Sequence, residues 1–524
     1  MVSKEILKNS LFQLLLAYSV LLLLFSAGFF SRYALHFELF ALLVAIVGVF
    51  AFWKQKEKTP KFEKESKAWL FLLALSFAIL FFSRAIPLLS SAVPLGYDFG
   101  IYKFAFEQHA LAFPNIYSAA IPHWVGLWSP LGIYLVSDLI SLTGLTAGEF
   151  LNPLIVFFEL FLGLAVFLCA REYFGKKAAA LSVFFYSVSI IQFKAFELFY
   201  LKNIFGLALL LLALYFLKKK NFFGIVLPAG FLAGVHRPTF LVFAIAFAVH
   251  FLANLKEWRK NLLAGFGILL FVVFFYWNSF QEAILGFLLP AVESPSPGTF
   301  INFFTFQFST LFYLPFALFG LFLLLRQKKH PEFSIAALFL LAITAFELLF
   351  YNRYLIQLDI FLILLAGFGF QSILQLDSKK YWKLSIIGLV LIASIVSLSV
   401  TVQQARPLIS GQELEFIKKI PELTEPNASI LVTSSYYSPW VLGFSKRKAI
   451  MPGLFESDRW NLKEWRVFWD SNSAEQAVEM LSGYEKPLYV FNGEFARINR
   501  EKFRQPCFET VASSEKASLI RLEC

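Results

Sequence analysis

The chain has 524 residues, of which 58% are hydrophobic and 15% charged, and 67 are Phe. Soluble domains carry roughly a quarter of their residues as charges, so this composition excludes an ordinary soluble protein and points to a polytopic membrane protein. The formal charge of +11 comes from Lys and Arg grouped in short connections between apolar runs. That distribution suits cytoplasmic loops facing anionic headgroups and argues against nucleic acid as a partner.

A helix needs about 20 apolar residues to cross the hydrocarbon core. The run at 11–30 exceeds the h-region of a signal peptide and lacks a clear cleavage site, so it reads as a retained first span. Further spans are expected near 33–53, 68–88, 149–170, 177–194, 203–217, 222–235, 239–254, 261–278, 307–325, 332–350, 354–372 and 383–402, about thirteen in all. The basic connections KQKEKTPKFEKESK, REYFGKK, LKKKN, LKEWRK, RQKKH and DSKKYWK fall on one face if the N-terminus is cytoplasmic. The opposite, extracytoplasmic face then receives a long first loop (89–148), the turns near Glu197, His236 and Arg353, and everything after about Gln403.

The expected fold is therefore an α-helical polytopic membrane protein with a small C-terminal extracytoplasmic α/β domain. Residues 1–67 hold two N-terminal spans and a basic loop, 68–402 the main membrane domain, and 403–524 the α/β domain. In that last region strand-like runs (ASILVTS, KPLYVFNG, ASLIRLEC) alternate with helix-like ones (GQELEFIKKI, NSAEQAVEMLSG). Cys507 and Cys524 both lie there, either free or paired, while Cys169 sits in an apolar run.

Ionisable groups in or beside apolar helices are expensive and are functional suspects by default. The extracytoplasmic rim collects Arg84, Asp98, Lys103, Glu107, His109, His123, Lys194, Glu197, Lys202, His236, Arg237 and Arg353. Asp98, in VPLGYDFGIYKF, suits either a turn residue capping a helix from Phe99 or a partly desolvated general base. The following KFAFEQHALAF and WSPLGIYLVSDLISLTGL read as interfacial helices that shape a groove, lined by Tyr97, Tyr102, Glu107, His109 and His123.

Glu197, in FKAFELFYLKN, suits interfacial anchoring or a second site carboxylate, with Lys202 as a phosphate contact. AGVHRPTF places His236 and Arg237 between two half-length apolar runs, a natural anion site. Arg353 opens a span as a snorkelling anchor or a bidentate phosphate ligand at headgroup depth. His109, His123 and His236 share the face with Asp98, Glu107 and Glu197 without a ligand spacing such as HExxH, which leaves a divalent cation, Mg or Mn, open as cofactor. The sequence holds no P-loop, dinucleotide fingerprint or nucleophile elbow, so ATP-driven transport within this chain is not expected.

Taken together, GYDFGIY in a long first loop, the acidic turn FELFY two spans later, NRYLIQLD at a late span and the external C-terminal domain resemble the GT-C glycosyltransferases. That superfamily includes protein O-mannosyltransferases, the aminoarabinose transferase of lipid A and oligosaccharyltransferase catalytic subunits. The resemblance covers about 68–402. It implies a polyprenyl- or dolichyl-phosphate-linked sugar donor, an extracytoplasmic acceptor (glycan, lipid or protein) and membrane lipid as surroundings.

Under this resemblance Asp98 matches the first-loop catalytic acid, set by Gly96, Tyr97, Gly100 and Tyr102, and Glu197 matches the second acid. Arg353 matches the arginine that meets the carrier phosphate, with Arg237, Lys202 and His236 beside it. The chain departs from the pattern in its two extra N-terminal spans, its single first-loop acid and its lack of WWDxG. Single-sugar transfer is accordingly expected rather than transfer of a whole oligosaccharide. The rival class is a transporter or flippase of a lipid-linked or anionic solute, suggested by the short runs interrupted at His236 and Pro238.

Overall fold

The computed structural model describes residues 67–112, 119–121, 131–137, 140, 143–276, 299–348, 351–375, 380–451, 459–496 and 498–524. The two N-terminal spans expected at 11–30 and 33–53, and His123, lie outside these residues. The chain forms two compact units. One is helical and contains 155–405 with the preceding helix and a short piece at 130–133, and the other joins 88–129 and 134–154 to 406–524.

In the helical unit, Lys67–Leu89, Ala147–Phe174, Leu201–Lys218, Leu355–Leu374 and Lys380–Gln404 are helices, as is Trp258–Tyr276 beyond a single 3-10 turn. Six helices in this set, counted with their flanking turns, are long and apolar enough to cross a membrane. Two helix pairs are long and apolar enough only when taken together, and each is bent at a short break. Lys176–Val188 meets Ile190–Glu197 at 50°, and Phe303–Thr310 meets Leu314–Gln327 at 83°. Phe222–Val235, Arg237–Ala253 and Pro331–Ala345 are shorter apolar helices. Several runs that read as single straight spans are thus broken or short.

Close backbone approach in this unit is made possible by glycine. A Cβ on Gly369 would lie 2.0 Å from the Phe316 carbonyl, and one on Gly320 2.2 Å from that of Leu365. Neither contact leaves room for even a methyl group, which is how Leu355–Leu374 seats against Leu314–Gln327.

The second unit contains a five-stranded sheet ordered β2-β1-β3-β5-β4, with β1 Ser429–Val432, β2 Lys448–Ile450, β3 Leu488–Gly493, β4 Phe508–Ser513 and β5 Ala517–Leu522. β1 pairs parallel with β2 and β3, and β5 pairs antiparallel with β3 and β4. Every residue of β1 and β3 is buried, the continuous apolar reading expected of central strands covered on both faces.

Strand alternation sorts those residues into two cores. Ile430, Val432, Tyr489, Phe491 and Leu519 pack with Leu414, Ile417 and Trp440 on one face; Leu431, Leu488, Val490, Ile520 and Leu522 pack with Trp465, Phe468 and Leu481 on the other. A disulfide joins Cys507 to Cys524 at the open end of the β4–β5 hairpin.

The described part of the first loop, apart from 131–133, belongs to this unit. Its helix Phe99–Ala112 lies on the short helix Ser438–Phe444 that follows β1. A Cβ on Gly100 would lie 1.9 Å from the Pro439 carbonyl, and one on Gly443 2.5 Å from that of Gly100. Two glycines face each other there because the helices touch backbone to backbone.

Candidate functional site

Asp98 stands one residue before the helix Phe99–Ala112, and its carbonyl accepts the Tyr102 amide at 3.0 Å, the first bond of that helix. Gly96 turns the chain into it at φ +84°, a conformation that side chains disfavour. The Asp98 carboxyl is held in a nearly dry setting, with the residue only 6% exposed.

Three contacts fix its surroundings to the C-terminal part of the same unit. The Tyr97 hydroxyl donates to the Ser435 carbonyl at 2.6 Å, Phe99 stacks on Phe444 at 6.4 Å, and the Lys103 ammonium donates to the Gly443 carbonyl at 2.8 Å. Lys103 also pairs with Glu107 at 2.7 Å, one helical turn on. Tyr102 is fully buried. His109 stacks on Tyr134 with centroids 4.3 Å apart, and burial depresses its pKa to about 4. Of the five residues assigned to a groove, Tyr102 and His109 are buried in packing, Tyr97 and Glu107 are tied to the C-terminal segment directly or through Lys103, and His123 is not described.

The helical unit gathers the basic candidates. His236 caps Phe222–Val235 and opens Arg237–Ala253, with Pro238 in the first turn, so a single residue separates the two helices. Lys202, Arg353 and Arg237 all lie within electrostatic reach of the buried His236 ring, and Arg353 is within reach of Arg237 and Tyr200. Gly206 lets the helix bearing Lys202 close onto this turn, since a Cβ there would meet that of His236 at 2.9 Å. Arg237 is steadied by Tyr276, whose hydroxyl accepts its Nε at 3.3 Å and donates to the Ala233 carbonyl at 2.8 Å. Three cations spread over about 150 positions are thereby brought around His236. Glu197 ends the half-helix Ile190–Glu197 and pairs with Lys194 at 2.5 Å, so one lysine of the same turn balances its charge.

Two buried acids, Glu159 and Asp359, escaped the sequence reading, which had singled out only Arg84 beside the first of them. Arg84 is fully buried and donates to Glu159 at 3.1 Å; Tyr186 donates to the same Glu159 oxygen at 2.9 Å. Asp359, also fully buried, accepts from Ser189 and Gln192 at 2.9 and 2.8 Å, and from Tyr313. The signal existed: an acid inside the expected spans 149–170 and 354–372 is as costly as one at their ends.

Among the described residues no three His, Cys, Asp or Glu side chains come together as a metal site.

No protein-family profile matches the chain, and no curated protein matches it in sequence. Solved structures do match. The chain is similar to ArnT from Cupriavidus metallidurans bound to undecaprenyl phosphate, at 12% identity and TM-score 0.58, over 87% of this chain and 98% of that one. It is similar to the archaeal oligosaccharyltransferase AglB from Archaeoglobus fulgidus in complex with an inhibitory peptide and a dolichol-phosphate, at 14% identity and TM-score 0.54, over 81% and 69%. A third match is the Archaeoglobus fulgidus oligosaccharyltransferase in complex with Zn and sulfate, at 13% identity and TM-score 0.55, over 80% and 68%. The chain has a GT-C-like fold.

Proposed function

We infer that this protein is a membrane glycosyltransferase that moves a single sugar from a polyprenyl- or dolichyl-phosphate carrier to an acceptor hydroxyl on the extracytoplasmic side. The observation that carries the reading is the convergence of Lys202, Arg237 and Arg353 around His236. Cations gathered at the end of apolar helices suit an anion held at headgroup depth. The GT-C-like fold supports the same reading, since its solved neighbours bind undecaprenyl phosphate and dolichol-phosphate.

In this reading an acceptor oxygen attacks the anomeric carbon as the bond from that carbon to the phosphate oxygen breaks. The electron pair of the broken bond leaves with the lipid phosphate, where the cations offset the developing charge. The acceptor proton passes to the Asp98 carboxylate, which stands buried at the start of the helix Phe99–Ala112. A single displacement of this kind inverts the anomeric configuration. Glu197 is assigned to binding the acceptor, and the residues around Asp98 to holding the base in place.

The test is sugar transfer from a panel of radiolabelled polyprenyl-phosphate sugars in membranes carrying the wild-type chain, Asp98→Asn or Arg353→Ala. Transfer that vanishes in folded Asp98→Asn, with a raised donor KM in Arg353→Ala, supports the reading. Carrier-dependent movement of label across the membrane without transfer would favour the transporter reading, for which the two bent helix pairs speak.

A further inference from the structure

Both bent helix pairs of the helical unit are broken at a polar residue, and both breaks lead to the same carboxylate. Ser189 separates Lys176–Val188 from Ile190–Glu197, and Tyr313 precedes Leu314–Gln327 after the 83° turn from Phe303–Thr310. A broken helix in an apolar bundle frees backbone groups that water cannot reach, so local side chains must take them up. Ser189 Oγ accepts the Gln192 amide at 3.2 Å, and Arg84 reaches the Ser187 carbonyl at 3.4 Å.

Asp359 joins the two. One of its oxygens accepts from Ser189 Oγ at 2.9 Å and from Gln192 Nε2 at 2.8 Å, and the other accepts from the Tyr313 hydroxyl. Tyr313 also reaches Ser189 directly. Two residues closer to Arg353 on the same helix, Gln357 donates to Thr239 Oγ1 at 2.9 Å, and Thr239 hydrogen-bonds His236 Nδ1 at 2.6 Å. The first two turns of Leu355–Leu374 therefore hold two helix breaks and the His236 turn.

We propose that Asp359 is a positioning residue: by pinning Ser189 and Tyr313 it sets where the half-helix Ile190–Glu197 ends, and so where Lys202 stands relative to Arg353. The assignment rests on the reading of these cations as the carrier-phosphate site. The half-helix is eight residues, about 12 Å at 1.5 Å per residue, so a swing of about 10° at Ser189 moves its far end by about 2 Å. That end is rigidly joined to the next helix. The Leu198 amide donates to the Lys194 carbonyl, and the Tyr200 amide to that of Ala195, both at 2.9 Å. A swing at Ser189 is thus carried to Lys202, and about 1 Å is enough to degrade charge-assisted contacts and positioning.

The experiment compares the full-length wild type with Ser189→Ala, Tyr313→Phe, Asp359→Asn and Asp359→Val in lipid nanodiscs. Undecaprenyl phosphate affinity, donor KM, kcat and backbone hydrogen exchange across 190–197 are measured. Tyr313→Phe is the conservative variant that keeps the fold. It is expected to speed exchange in 190–197, to weaken undecaprenyl phosphate binding and raise donor KM roughly 10-fold, and to leave acceptor KM unchanged. Asp359→Asn, which keeps one acceptor oxygen, should fall between wild type and Asp359→Val.

If Tyr313→Phe and Ser189→Ala bind the carrier as the wild type does, the positioning role is overturned even if the proteins are less stable. If the wild type itself neither binds undecaprenyl phosphate nor transfers sugar, the functional reading fails. Exchange in 190–197 then decides the link separately: acceleration in Tyr313→Phe supports it, and unchanged exchange overturns it.

Discussion

Tyr97 and Ser435, 338 positions apart, are joined by a 2.6 Å hydrogen bond that ties the residue beside Asp98 to the turn after β1. Tyr97→Phe removes the hydroxyl and leaves the Ser435 carbonyl without this donor, at a cost of about 1 kcal/mol. If Asp98 is the base, the variant loses kcat by about 5- to 20-fold through misplacement of the carboxylate while donor KM stays level. Steady-state kinetics with the donor varied at saturating acceptor checks the split.

The Gly100–Gly443 contact gives a sharper packing prediction. In Gly443→Ala the new methyl would meet the Gly100 carbonyl oxygen at 2.5 Å and its Cα at 2.8 Å, and backbone cannot step aside as a flexible side chain can. The cost expected for overpacking is about 1–3 kcal/mol. Gly388→Ala is the control, since nothing lies within 4 Å of its Cβ position and alanine favours the helix. Thermal unfolding in nanodiscs should separate the two.

Acid should weaken the unit that contains His109. Its folded pKa is about 4 against an ordinary 6.5, because burial opposes the charged ring. Between pH 6.5 and 4 the unfolded chain takes up a proton that the folded one refuses. Stability is complete above the unfolded pKa and falls as the pH drops through this window, by roughly 2–3 kcal/mol at its foot. His109→Phe keeps the stacking on Tyr134 and removes two buried ring nitrogens that find no hydrogen-bond partner among the described residues. It should flatten the acid limb of a stability profile measured against pH.

Arg84 and Glu159 should behave as a pair. Arg84→Met leaves a buried carboxylate facing only Tyr186, at about 3–5 kcal/mol, whereas the double variant Arg84→Met with Glu159→Met removes both charges and should recover most of the loss. A double-mutant cycle on unfolding free energy gives the coupling directly.

The Cys507–Cys524 link closes a loop of 17 positions. Loop closure of that size stabilises by about 3 kcal/mol in the chain-entropy account. Reduction, or Cys507→Ser, should lower the unfolding temperature of the sheet-containing unit and leave that of Gly388→Ala relative to wild type unchanged.

Much of this arrangement is legible in the sequence because its causes are local. Strands β1, β3 and β5 announce themselves by short apolar runs of four to six residues and the helix Gly411–Leu423 by a 13-residue amphipathic one, and helix Phe99–Ala112 starts at the residue after Asp98 where a cap was expected. Strand β2 was missed because three residues, KAI, are too few to show a period. Ser189 and Tyr313 were missed for another reason. Hydropathy averages over a window, so one polar residue at a break disappears into an apolar run, and only the fold shows that both meet Asp359. The grouping of Lys202, Arg237 and Arg353 was expected only under the family resemblance; Gly206 lets the helix of Lys202 approach His236, the single residue between two helices.

The dependence of helix Phe99–Ala112 on helix Ser438–Phe444 also fixes an order in time. The ribosome makes residue 100 more than 300 residues before residue 443, and until Gly443, Pro439 and Ser435 have emerged the loop around Asp98 lacks the backbone it rests on. At the usual pace of synthesis, about 5–20 residues per second, that interval lasts roughly 15–70 s. A nascent chain already threaded into the bilayer would therefore hold an unfinished loop, and its maturation would wait on the last quarter of the polypeptide. A stop codon near residue 430 should yield an inserted but immature protein, open to protease at 88–112.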